Sequence, residues 1–365
     1  MKARILRENF LKGIQTVSPI VPTRSTLPIL SHLLIETKKD AIQITGTDLE
    51  IGITTTIPAE ILEEGSIAIP AKRLSDLLKE LPNEMLQLGS KKNQQASIEC
   101  GKGVFKIMGL SKEEFPHLPH SVSHEAISIQ QNLLQKMLSL VVFSVSKDES
   151  RYVLTGILFV SKKNTLRLVA TDGRRMAMID REVKSAPAGE QNRIVPEKTI
   201  NELIRLLGGE EAVKISFKES QIVFDLGNTI LISRLIDGKF PNYEQVIPAE
   251  SPHRLRASRE EFLLAVRRIG LWSTQESPSI RFDLAADKLT VSKQTPEVGE
   301  AHEQITVEYS GPEFSIGFNP NYLIDVLKVL PEEQIEIELP GPDRPGVMRT
   351  KEHYVYIVLP MQLSN

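Results

Sequence analysis

The sequence predicts an α+β chain made of three repeated domains, and three observations carry that expectation. Amphipathic helical phrases alternate with hairpin-like strand pairs. The same order of phrases occurs three times. Equivalent residues keep a near-constant spacing, so that Lys72, Lys198 and Asn321 stand 126 and 123 residues apart. Order and spacing kept together distinguish an internal repeat from chance likeness.

The opening phrase of each copy, residues 8–14, 131–137 and 260–266, has apolar positions three and four apart, the period of a half-buried helix. A strand pair follows: 33–37 with 42–48, 156–161 with 166–172, and 279–284 with 289–295. Period-two alternation and β-branched residues support these strands. Their turns, Lys38-Lys39-Asp40, Lys162-Lys163-Asn164 and Ala286-Asp287-Lys288, have hairpin chemistry. A second helix opens at Pro70 and Pro196, and one position later at Pro320. Proline in a first helical turn loses no hydrogen bond, because its N–H would have had no partner. Each copy then closes on Phe115-Pro116, Phe240-Pro241 or Leu359-Pro360, whose prolines lie 46, 45 and 41 residues beyond Pro70, Pro196 and Asn319. Polar stretches at 121–125 and 250–252 set the expected domains at 1–122, 123–250 and 251–365.

With 365 residues, 41% hydrophobic and 25% charged, the chain is expected to be soluble and globular, which excludes disordered, collagen-like and rod-like classes. Its apolar stretches, such as 153–160, fall short of the ~18 residues of a membrane span. Lys2, Arg4, Arg7 and Glu8 leave no signal-peptide core, and the lone Cys100 cannot pair within the chain, so the cytoplasm is the expected compartment. The net charge of −3 excludes a protein that grips nucleic acid by bulk positive charge. Local placement differs. Lys72, Lys198 and Asn321 are equivalent on the second helices, as are Lys79, Arg205 and Lys328. Positions seven apart share a helical face, and in the first copy Leu74, Leu77, Leu78 and Leu81 occupy the other. The plain reading is a set of solvated helix faces. The functional reading is a weakly basic stripe that meets phosphates without reading bases.

Catalytic and metal patterns are sparse. Ser144-Val145-Ser146-Lys147 matches S-x-x-K but lacks its partner motifs. His117, His120 and His124 have a spacing zinc can use, yet they fall in a polar boundary stretch that reads as linker. Gly101-Lys102-Gly103 lacks the length of a phosphate loop and reads as a hairpin turn, with Cys100 a thiol on a half-buried strand. Thr171-Asp172-Gly173-Arg174-Arg175-Met176 joins a tight-turn Asp-Gly to two arginines.

Together with Leu27-Pro28-Ile29-Leu30, Thr45-Gly46-Thr47-Asp48-Leu49-Glu50, Ala170–Ala177 as a whole, Asp237-Gly238-Lys239-Phe240-Pro241-Asn242-Tyr243, Tyr309-Ser310-Gly311 and Leu359-Pro360-Met361-Gln362-Leu363, that motif resembles the bacterial DNA polymerase III beta subunits, the replicative sliding clamps. The likeness runs the length of the chain. It implies three DNA-clamp domains and a head-to-tail dimer that forms a ring of six domains, with helices lining the inside around duplex DNA. It implies no catalytic residue, no cofactor and no metal. Expected partners are duplex DNA without sequence preference, DNA polymerases, the clamp loader and other proteins carrying clamp-binding peptides, with no membrane association.

Residue by residue, the resemblance implies a peptide pocket between the second and third domains. Leu154, Thr171, Gly173, Arg174, Arg175 and Met176 come from the second domain, Pro241 and Val246 continue the wall, and Ile357, Leu359, Pro360 and Met361 close it. It points to Arg24 and Tyr152 as DNA contacts beside the basic stripe. At the dimer seam it sets Phe105 and Ile107 against Leu271 and Trp272. Departures from the family pattern are Val153 for a second tyrosine, Gln362 for an arginine, and Ser364-Asn365 beyond the usual terminal leucine. A monomeric peptide-binding scaffold that works off DNA and an S-x-x-K hydrolase are the competing readings.

Overall fold

All three copies follow one path in the computed structural model, which describes residues 1–91, 93–118, 126–184, 189–296 and 298–363. A first strand leads into a helix, a three-strand meander, one more strand, a second helix and three closing strands, with the short strand Glu60–Glu63 added after the meander in the first copy. The helices are α1 (Arg7–Val17), α2 (Ala71–Glu80), α3 (Gln131–Val141), α4 (Glu197–Leu206), α5 (Arg259–Gly270) and α6 (Pro320–Val329). Each buries an apolar stripe, as with Phe10, Gly13, Ile14 and Val17 on α1 and Leu323, Val326 and Leu327 on α6. At the start of α6, Asn319 Oδ1 accepts from the Asn321 N–H at 3.0 Å and Pro320 follows, which explains why the proline stands one place late.

The expected strand pairs are present as Ala41–Thr47 on His32–Lys38, Thr165–Thr171 on Gly156–Lys162, and Lys288–Thr295 on Ile280–Ala285. The sequence reading stopped short of a third meander strand in each copy: Ile51–Pro58, Arg175–Glu182 and Gly299–Thr306. Two of these are the ones that join copies. The closing strand Thr229–Arg234 of the second copy pairs with Ile51–Pro58 of the first, Leu231 opposite Ile53. The closing strand Tyr354–Val358 of the third pairs with Arg175–Glu182 of the second, Tyr356 opposite Ala177. Among the described residues two eight-stranded antiparallel sheets result, each shared by two copies, and a five-stranded and a four-stranded sheet complete the set. The described residues gather into two compact units around the shared sheets, one from 1–132 and 201–235 with Lys184, the other from 133–183, 189–200 and 236–363.

In the second unit the junction is reinforced by a buried cation. The Arg175 side chain is 10% exposed. It donates to Asp172 at 3.0 Å, to Asp325 of α6 at 2.7 Å and to the Phe143 carbonyl at 2.6 Å, and its guanidinium lies 4.5 Å from the Tyr322 ring centroid. A planar fork satisfied on every side suits arginine and not lysine. Arg175→Met leaves both carboxylates without their cation and is expected to lower the free energy of unfolding by roughly 3 kcal/mol. Urea denaturation followed by far-UV circular dichroism measures this, and a loss below about 1 kcal/mol would mean the cluster contributes little.

Candidate functional site

The Thr-Asp-Gly turn is built by its own side chains. Thr171 Oγ1 accepts from the Gly173 N–H at 3.1 Å and donates to the Arg175 carbonyl at 2.7 Å. Asp172 Oδ1 accepts from the N–H groups of Arg174 and Arg175 at 2.8 and 2.9 Å. Gly173 takes φ +86°, a region where a side chain is strained. The turn leaves Arg174 exposed, and the Arg174 carbonyl accepts from the Leu359 N–H at 2.9 Å, which ties the C-terminal segment to the second copy. Beyond Pro360, the Met361 N–H donates to the Gly317 carbonyl at 2.8 Å.

Between these segments lies one apolar cluster containing Leu154, Met176 and Ile357 with Leu158, Val169, Ile194, Phe240 and Val347. Tyr243 and Ile247 pack against it. At its margin Val246 is 57% and Leu359 42% exposed, Pro241 is exposed, and Pro360 and Met361 are half-buried. An apolar floor with exposed apolar rims and few polar groups is the surface that takes a short hydrophobic peptide. All the sequence-designated pocket residues fall in the second unit. Arg175 differs from the rest: strand alternation turns it to the face opposite Met176, and its guanidinium is engaged in the junction cluster. Phe240, Val347 and Tyr243 were absent from the sequence-based set, although Phe240 and Tyr243 flank the proline that was chosen.

The basic residues are divided between the units. In the first, Lys72 and Lys79 line an α2 cleft of about 750 Å³ together with Arg73, Ser18, Thr23, Ser31 and Ser75, and Arg24 is exposed on the adjoining loop. Lys79 stands 3.8 Å from Asp76. Arg205 is exposed but engaged: it donates to Glu202 at 2.9 Å and to the Thr16 carbonyl in the last turn of α1 at 2.7 Å, so part of its fork caps a helix. In the second unit Lys198, Lys328 and Tyr152 are exposed, Tyr152 on the kinked Glu149–Leu154 segment.

Two of the seam candidates lie on a sheet edge and two follow a helix. Phe105 is half-buried and Ile107 buried on Gly103–Met108; Leu271, 76% exposed, and Trp272 follow α5, and Trp272 lies against Gly299 at the start of Gly299–Thr306. Five of the eight sheet edges are covered by isolated bridges, Ala68 to Leu110, Ser128 to Lys184, Ile194 to Ile236, Arg256 to Glu308 and Gly317 to Met361. A sixth is the four-residue Glu60–Glu63. Among the described residues, Gly103–Met108 and Gly299–Thr306 are the long edges left uncovered.

The S-x-x-K pattern does not assemble. Ser144 Oγ is buried without a hydrogen-bond partner and Lys147 is paired with Glu197. His120 and His124 lie outside the described residues, among which no three His, Cys, Asp or Glu side chains gather as metal ligands. No helix of the described residues is long and apolar enough to cross a membrane.

Comparison with known proteins agrees with this geometry. Models of the N-terminal, central and C-terminal domains of the DNA polymerase III beta subunit match residues 1–119, 128–242 and 244–362. The beta sliding clamps of Chlamydia muridarum and Pseudomonas putida are 31% and 34% identical, each over the whole of both chains. Among solved structures, a sliding clamp of Bacillus subtilis matches at TM-score 0.95 and 31% identity, and a Pseudomonas aeruginosa clamp bound to griselimycin at 0.95 and 33%, both chains covered in full each time. Three matched domains in order, on a fold shared from end to end, mean that the chain belongs to the bacterial DNA polymerase III beta subunits, the non-catalytic sliding clamps of DNA replication.

Proposed function

We propose that two copies of this chain join head to tail into a cytoplasmic ring of six domains, divided at 1–122, 123–250 and 251–365. The ring encircles duplex DNA with helices inside and tethers the replicative polymerase. The polymerase, the clamp loader and other proteins bearing clamp-binding peptides dock in the groove around Leu154, Met176, Val246, Ile357 and Leu359. The uncovered edges carry this reading. Within the chain, a closing strand meets the third meander strand of the preceding copy twice; the one closing strand and the one meander strand left over are Gly103–Met108 and Gly299–Thr306. An open edge of this length is a template for pairing.

The repeat also supplies the register. Leu231 opposite Ile53 and Tyr356 opposite Ala177 both translate to Phe105 opposite Ala301 of the partner subunit. Lys106 then faces the partner's Glu300, exposed Met108 faces Val298 of the partner subunit, and Ile107 comes to Gly299 of the partner subunit, the residue that Trp272 covers within its own chain. Apolar rims and opposite charges support this pairing.

DNA contacts are assigned to Arg24, Lys72, Lys79, Tyr152, Lys198 and Lys328, with Arg205 partly committed to its cap. Contacts limited to phosphates are salt-sensitive and blind to sequence, as sliding requires.

Three measurements test the reading. Lys106→Glu opposes like charges at both seams and should raise the dimer dissociation constant about tenfold, with Glu300→Lys restoring it; light scattering on a dilution series reads this, and an unchanged dimer would overturn the register. Joint reversal of Lys72, Lys79, Lys198 and Lys328 to Glu should shorten retention on circular DNA and flatten its salt dependence while the dimer persists; wild-type retention would make the stripe a solvated face. Leu359→Ala with Met361→Ala should weaken griselimycin at least about tenfold by calorimetry, and wild-type affinity would remove the groove assignment.

A further inference from the structure

Arg167, on the Thr165–Thr171 strand, holds one wall of the groove. Its Nε and Nη2 donate to the two oxygens of Asp180 at 2.7 and 2.8 Å. Its Nη1 donates to Tyr243 Oη at 3.3 Å and Glu244 Oε1 at 3.1 Å, and the guanidinium lies 5.9 Å from the Tyr243 ring centroid. Tyr243 and Glu244 open the short turn Tyr243–Val246, which ends in Val246 and directly follows Pro241-Asn242. A bidentate pair fixes the plane of the fork, so the remaining N–H is aimed at the turn.

The first copy has the same strands without this device. Arg167 lies opposite Asp180 as Gln43 lies opposite Thr56, 124 residues earlier in both cases, and Tyr243 corresponds to Leu118, 125 residues earlier. There the chain takes the other arrangement. Leu118 lies down on Gly52, so closely that a Cβ on Gly52 would come within 2.6 Å of Leu118 Cδ1. The position equivalent to Gly52 in the second copy is Met176, part of the groove floor. The residue two places after the proline either lies on the sheet at a glycine, as Leu118 does, or packs against the floor cluster with its hydroxyl held by an arginine fork, as Tyr243 does.

We propose that Arg167 is a positioning residue for partner binding. Braced by Asp180, it fixes Tyr243–Val246 as one wall of the groove, whereas in the first copy Leu118 rests on Gly52 and, with Gln43 in place of the arginine, lines a cavity of about 370 Å³ without such a fork. The proposal rests on the groove being the peptide site. It predicts that Arg167→Gln, the residue of the first copy, weakens griselimycin about tenfold in the full-length protein, with melting temperature and dimer mass close to wild type. Tyr243→Leu should weaken it similarly, and the double variant should lose no more than either single change, because both act through one contact. Tyr243→Phe, which removes only the hydroxyl that Arg167 holds, should cost about threefold and carries the test if Arg167→Gln does not fold. Wild-type affinity in Arg167→Gln or Tyr243→Phe, or fully additive losses in the double variant, would overturn the proposal. If Leu359→Ala with Met361→Ala also binds griselimycin as wild type, the groove reading itself fails; if that pair loses binding while Arg167→Gln retains it, only the role of Arg167 fails.

Discussion

The pairing of a closing strand with the third meander strand of another copy is the constraint on which the other features depend. Backbone donors and acceptors along a strand edge need partners, and in two places another repeat of the same chain supplies them. Each junction fixes a register, and register fixes which side chains face the core. In the second unit the ladder sets Met176 opposite Ile357, which brings a floor residue of one repeat to the closing strand of the next. The Arg175 cluster locks the same junction from the opposite face of the sheet. Three repeats joined in this manner end in two unlike edges, so the proposed seam is head-to-tail by construction.

One turn recurs in the first two copies, and in the second it borders the proposed groove. Thr47 and Asp48 form the turn that Thr171 and Asp172 form, with Asp48 Oδ1 accepting from the Glu50 and Ile51 N–H groups at 2.9 and 2.7 Å. Leu49 stands where Gly173 does, at φ +80°, a conformation that costs a non-glycine residue roughly 1 kcal/mol. The turn is therefore a way of ending one strand and starting the next. What sets the second copy's turn apart is its neighbours: the Arg174 carbonyl accepts from the C-terminal segment, and Met176 follows with an apolar side chain where the first copy has glycine.

Much of this was legible in the sequence, because it depends on period and order. The helices, the first two meander strands and the closing hairpins follow from amphipathic spacing and turn chemistry. Two kinds of feature were not. The third meander strands, Ile51–Pro58 among them, follow their partners after very short turns, and in the first copy Ile51 to Thr55 are all buried, so that this strand lacks simple alternation because both faces are covered. Side-chain commitments were equally hidden: Arg205 and Lys79 look alike on a helical wheel, yet one caps α1 and the other stands loosely beside Asp76.

By itself the sequence determined the α+β class, the threefold repeat, the absence of bulk positive charge and the residues that form the Thr-Asp-Gly turn, since each depends on composition or on neighbours within a few positions. Tertiary structure alone decided which edges are covered, which arginine is a junction cation, and whether the residue after the closing proline segment lies against a glycine as Leu118 does or is held by an arginine fork as Tyr243 is. Those outcomes turn on pairs far apart in the chain, Arg167 with Tyr243 or Arg175 with Asp325, whose contact is set by strand register and has no local signature.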